Sequence, residues 1–261
     1  MSGPPPVPPH KPRSRRCIGI NSQVIIKAAA GATSPFAVPN QDERGLKTRR
    51  TALISTLTAL YIAANAIPIS AFIGGAGFIT AGIILLPVIA RLLRPKEAVV
   101  VAIFAPLVLF TLQLSIIPVF GFYGMLIPAL GIIFGSLGFH KSYVYPTAYV
   151  AFGAFWYIIF SNGTPLWLAP YFVVIAMAIA DQVRPFKVSK RADVLLHSFD
   201  ATMCELVTMN IGSISLLRLQ GDLWTIITPF MFFERTVAVI GASSILLAVM
   251  RIKSILKLEY I

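Results

Sequence analysis

The sequence predicts an all-α fold, a polytopic membrane helix bundle of about eight transmembrane helices with both termini in the cytoplasm, and three observations carry the prediction. Hydrophobic residues fill 57% of the 261 positions and charged residues only 12%, about half the charged share of an ordinary soluble domain. Apolar runs long enough to span a bilayer recur from Thr51 to Met250, separated by short connections. Almost all the basic residues then fall on one side of the topology those runs define.

Residues 1–51 stand apart. The opening MSGPPPVPPHKPRSRR is dominated by proline and positive charge, a composition that cannot bury a core, so a disordered cytoplasmic leader is expected. No apolar run of signal-peptide length follows its basic cluster, and VIIKAAAGA is interrupted by Lys27. Cys17 here and Cys204 later are too few for a disulfide framework.

The first span, 52–70, places Ala52, Thr56, Ala59, Ala63 and Ala66 at alternating spacings of four and three. That spacing lays small side chains along one helical seam, where a second helix can approach closely in lipid. The second helix belongs either to the same bundle or to a separate protein. Asn65 lies off the seam. The second span, 77–93, is short and either tilts or re-enters. The third, 97–114, ends in Gln113, and the fourth, 118–139, carries Tyr123 near its outer end.

GSLGFHKS, residues 135–142, differs from a phosphate-binding loop by having His140 in place of the second glycine, and no strand precedes it. ATP hydrolysis by this chain is therefore not expected. The fifth span is 143–160 and the short sixth is 166–181. Trp167 and Trp224 are expected in the interfacial aromatic belt. The Asn162-Gly163-Thr164 sequon lies in a loop too short to hold a glycan clear of lipid. In the seventh span, 195–217, the spacing of His197, Asp200 and Cys204 puts all three on one helical face. They read as polar residues at a helix end, and no metal or other cofactor is expected. The eighth span, 224–250, leads into a short cytoplasmic tail, 251–261.

With the leader in the cytoplasm, Arg91, Arg94, Lys96, Lys141, Arg184, Lys187, Lys190, Arg191, Arg251, Lys253 and Lys257 fall on the same side. Arg218 alone falls outside, and Arg235 lies within a span. The net charge of +12 is thus explained by orientation in a lipid bilayer, with no need for nucleic acid. A multi-pass protein of the cell membrane is expected.

A charge at the bilayer centre costs about 2.5 to 3.5 kcal/mol on insertion scales, so Glu205, Glu234 and Arg235 require partners. Glu205 and Arg235 are equidistant from Gln220, the centre of the last outer turn. In an antiparallel helix pair they lie at one depth and form an interhelical ion pair. Glu234 points about 100° away from Arg235. It is either packed structurally or lines an outward cavity with Asn65, Gln113, Tyr123 and Asn210, the mostly apolar setting with few polar groups that small ligands use. Without a ligand, Asn65 and Asn210 serve as interhelical hydrogen bonds, Tyr123 as a belt residue and Gln113 as a wet helix end.

Ala59-Leu-Tyr-Ile-Ala63 in the first span, the loop IPISAFIGGAGFIT and the final-span opening PFMFFERTVAV together resemble the substrate-binding S components of energy-coupling-factor vitamin importers. The resemblance implies a six-helix core, with the hairpin 143–181 as an insertion. It also implies transport without catalysis, a vitamin-like substrate held near the outer face under the first loop, and a seam docked on a transmembrane coupling subunit that carries cytoplasmic ATPases. Two other functions fit the residues: a structural or assembly subunit of a larger membrane complex, and a proton-coupled transporter using Glu205 and Glu234. There is no H-E-x-x-H and no G-x-S-x-G, so hydrolase chemistry has no support.

Overall fold

Local signals set where each helix starts and stops. A computed structural model of the chain describes residues 41–71, 78–114, 117–183 and 189–256. Residues 1–40, with Cys17, and 72–77, Arg184, Lys187 and the tail from Lys257 lie outside the described residues. Helix α1 runs Gln41–Ala64, so it starts inside the segment expected to be leader. The compact unit that holds the bundle begins at Thr48.

α1 also stops earlier than the expected span, because Pro68 has no N–H to donate and disfavours helical backbone at Ile67. The chain instead forms an antiparallel ribbon, β1 (Pro68–Ala71) with β2 (Phe78–Thr80). Its register pairs Ser70 with Ile79, and a bulge separates Pro68 from Ser70.

α2 (Gly82–Leu92) has 11 residues and is about 16 Å long at 1.5 Å per residue, too short to cross a bilayer by itself. α3 (Pro95–Thr111) begins with proline at its first position, and Glu97 Oε2 accepts from the Arg94 N–H at 3.0 Å, a helix start built from local sequence. A 3₁₀ segment, Ile117–Met125, kinked at Gly121 with φ +59°, leads into α4 (Leu126–His140). α5 (Val144–Phe160) is followed by a 3₁₀ turn, Pro165–Leu168, capped by the Thr164 hydroxyl. α6 is Ala169–Val183. α7 (Lys190–Ser215) is capped by Ser189 Oγ, which accepts from the Ala192 N–H at 3.3 Å. α8 is Leu223–Leu256.

Three non-glycine residues, Gln113, Asn162 and Arg218, adopt φ between +48° and +56°. They follow α3, α5 and α7, so each helix ends in a left-handed residue of the kind that stops helical bonding. All three ends lie with the β-ribbon at one end of the bundle, here called the ribbon end.

The centre of the bundle is α4 against α7. Gly131 and Gly135 on α4 leave no side chain at the contact. A Cβ on Gly135 would lie 2.7 Å from Ala201 Cβ and 3.1 Å from Ala90 Cβ, and one on Gly131 would lie 3.0 Å from Glu205 Cβ. α2 and α7 therefore both press against α4's backbone. The outward faces of the helices are apolar, with Ile103, Phe104, Phe155, Ile158, Phe172 and Phe233 all exposed. The segments Val119–His140 and Leu223–Ile252 are long and apolar enough to cross a membrane.

Trp167 and Trp224 do not face outward, contrary to the belt position the sequence predicts. Both are buried, edge to face with ring centres 4.9 Å apart, beside Tyr157. The reason is the turn after α5. Gly163 lets Tyr157 and Trp224 close over its backbone, and the Gly221 N–H donates to Ser161 O at 3.2 Å, which draws the α7–α8 turn onto it.

GSLGFHKS is helical through His140, whose Nδ1 lies 3.0 Å from Ser136 O. Its glycines therefore serve helix packing and form no phosphate cradle.

Candidate functional site

Arg235 on α8 is 3% exposed and reaches across to α7. There its Nη1 donates to Glu205 Oε2 at 2.9 Å and to Thr202 O at 2.7 Å. α8 is antiparallel to α7, and this pairing joins the two residues equidistant from Gln220. The neighbouring Glu234, 4% exposed, turns toward the ribbon and accepts a hydrogen bond from Ser70 Oγ. Residues directly opposite in a ribbon share a face, so Ser70 points the same way as Ile79, into the bundle.

The ion pair borders a small, partly open cavity whose polar wall is Tyr61, Asn65, Thr80, Glu205 and Arg235. Ile79, Ile83, Ile127, Pro128 and Met209 complete it. The enclosed part is small, with room for water or a compact polar group.

Asn65 is fixed in this wall. Its Nδ2 donates to Tyr61 O at 2.8 Å, and its Oδ1 accepts from Thr80 Oγ1 at 2.7 Å. The side chain occupies the volume that a Cβ on Gly82 would need. Arg235 Nε, also buried, has no acceptor among the described residues.

Of the five residues expected to share one cavity, only Asn65 lines it. Gln113 is exposed at the end of α3, where Nε2 donates to Phe110 O at 3.0 Å, a helix-ending contact. Tyr123 packs against Gly212, and its OH donates to Thr208 O at 2.7 Å. Asn210 is buried and donates to Tyr171 OH on α6. Glu234 faces the ribbon. The cause is helical geometry: Glu205 and Met209 share a face of α7, and Asn210, one residue on, points about 100° away toward α6. Tyr61, Thr80 and Met209 are cavity residues that the sequence reading did not single out.

The seam Ala52, Thr56, Ala59, Ala63 and Ala66 is exposed along its whole length. Leu57, Tyr61 and Asn65, on the opposite face of α1, are buried against the bundle. Among the described residues, therefore, nothing packs on this row of small side chains.

At the other end of the molecule His197 is held by Tyr143 OH at 3.1 Å and by Asp193 O at 2.9 Å. Asp200 is 1% exposed, and neither of its carboxyl oxygens has a hydrogen-bond partner among the described residues. Among those residues no group of three His, Cys, Asp or Glu is placed to hold a metal ion.

Comparison with protein-family models, with curated proteins and with solved structures finds no match to this chain.

Proposed function

We propose that the chain is a multi-pass membrane subunit that captures a small vitamin-like molecule in the cavity beneath the ribbon. In this reading it delivers the molecule through a transmembrane coupling protein with cytoplasmic ATPases, hydrolysing no ATP itself. The reading rests on the two faces of α1. The inward face supplies Tyr61 and Asn65 to the cavity wall, and the outward face presents five small residues in a row. Support for membrane residence comes from the apolar outward surface, far more extensive than a soluble monomer exposes. The basic residues clustered at one side of the predicted topology add to it.

The test is purification of the full chain from its native membrane in mild detergent, read by native mass spectrometry. Capture requires a retained small molecule and co-purifying ATPases. Asn65→Ala abolishes the small molecule and spares the ATPases, whereas Ala63→Trp does the reverse. Absence of both from the unaltered chain defeats the reading.

The limited enclosed space favours one competitor, an assembly subunit of a larger membrane complex. That role predicts partners without a small molecule, and association that Asn65→Ala and Glu234→Gln leave unchanged.

A further inference from the structure

At the end of the bundle opposite the ribbon, two guanidinium groups gather where α2, α3 and α4 meet. Arg91, in the last turn of α2, lies over the Phe139 ring at 5.5 Å, and its Nη1 donates to Phe139 O at 3.4 Å. Arg94 precedes the first turn of α3 as its N-cap. Arg91, Arg94 and Glu97 are all near enough to His140, the last residue of α4, for their charges to act on it.

Glu97 is the acid beside this group, and it is already engaged. Its Oε1 pairs with Arg50 on α1 at 3.1 Å, and its Oε2 accepts from the Arg94 N–H at 3.0 Å. Arg91, Arg94, Lys96 and Lys141 have no carboxylate partner among the described residues. Retention of positive charge on one side of a membrane accounts for the number of basic residues at this end. It does not account for two guanidinium groups drawn to one spot, where each opposes the other.

The face of α3 above them selects the occupant. Lys96, Val100, Ile103 and Leu107 succeed one another at spacings of four, three and four, which puts them on one helical face, and all four are exposed. An apolar row thus begins one turn beyond the basic group and leads toward the ribbon end. A soluble anion meets the charges and leaves the row uncovered. A zwitterionic headgroup brings its own cation up to the guanidinium groups. A lipid whose headgroup carries a net negative charge uses both parts, as basic pockets between membrane helices do for anionic headgroups. Arg91 Nε and Nη2 have no acceptor among the described residues, and a guanidinium fork suits phosphate oxygens.

We propose that the junction of α2, α3 and α4 binds an anionic phospholipid, with its phosphate held by Arg91, Arg94 and Lys96 and an acyl chain lying on the Val100, Ile103 and Leu107 face of α3. The site draws on the membrane residence in the proposed function and on none of its capture.

The full chain in neutral detergent is titrated with phosphatidylglycerol or with phosphatidylcholine of the same acyl chains, and bound lipid is counted by native mass spectrometry. Phosphatidylglycerol is expected to bind at least about tenfold more tightly, the scale that two basic residues set beside an anionic lipid. Arg91→Gln/Arg94→Gln abolishes that preference. Lys190→Gln/Arg191→Gln, which removes the same charge from the start of α7, keeps it. Arg94→Glu, at an exposed position, gives the same loss as the arginine pair and serves if that double variant does not fold. Glycerol phosphate, which has the charge without the chains, does not displace the bound lipid.

Four results overturn the proposal: no preference for phosphatidylglycerol, a preference that survives the arginine variants, an equal loss in the α7 variant, which means diffuse attraction to a positive surface, or displacement by glycerol phosphate. Each of them leaves capture standing, because capture is read from the retained small molecule and the co-purifying ATPases.

Discussion

Arg235 and Glu205 meet 2.9 Å apart between the last two helices, with the guanidinium also donating to the Thr202 carbonyl. Removing one member leaves the other charged and buried, at a cost of about 3 to 5 kcal/mol, whereas replacing both with apolar residues of similar size is often neutral or better. Arg235→Met or Glu205→Leu alone is therefore expected to lower the unfolding temperature of the detergent-purified chain far more than the double variant does. Additive losses would mean that the two groups are not coupled.

Gly135 marks the closest approach of α2, α4 and α7. A methyl group there meets Ala201 Cβ at 2.7 Å and Ala90 Cβ at 3.1 Å, and both neighbours are fully buried. Gly135→Ala is expected to destabilise by about 1 to 3 kcal/mol, and Gly135→Leu to prevent recovery of folded protein. Thermal unfolding of the alanine variant and size-exclusion profiles of the leucine variant check both.

Gly82 and Asn65 form a pair of another kind, since the asparagine fills the glycine's missing side-chain space. Gly82→Ala expels Asn65 and breaks its bond to Thr80. In a chain that already carries Asn65→Ala, the same change meets no obstruction. The two substitutions together should cost less than the sum of their separate effects, by about 0.5 to 3 kcal/mol as contacting residues do. Simple additivity in a double-mutant cycle would contradict the packing described.

Asp200 offers a stabilising substitution. Both its oxygens are buried without partners among the described residues, and exchanging such a group for an apolar one of similar size removes a desolvation cost of about 1 to 3 kcal/mol. Asp200→Val is expected to raise the unfolding temperature. A fall would show that the carboxyl has a role in the fold that its contacts do not reveal.

Much of the helical layout was legible because its signals are local. Arg94-Pro95 with Glu97 starts α3, Ser189 starts α7 and Gly221 turns α7 into α8, so spans expected from hydropathy coincide with α3, α5 and α8 to within a few residues, apart from α8's extension to Leu256. The ion pair was legible too, because a tight turn converts sequence symmetry into equal depth. The ribbon was not, since an apolar stretch broken only by Pro68 reads as the end of a span.

The cavity wall was mostly hidden. Expected depth groups polar residues but carries no information about which way a helix face turns, so Asn210 is expected beside Glu234 although α7 points it toward Tyr171. The Thr202 carbonyl leaves no side-chain signature at all. The Gly131 and Gly135 spacing on α4 marks the packing centre, and in the sequence it looks no different from the outward alanine row of α1.

α1 joins the bundle through Leu57 and Tyr61, with Asn65 directly after its last turn, and Tyr61 and Asn65 also wall the cavity. Anchor and container are thus one set of side chains on one rigid rod. Any tilt imposed on that rod from its alanine edge drags Tyr61 and Asn65 with it, so the chamber cannot keep its shape while the helix moves.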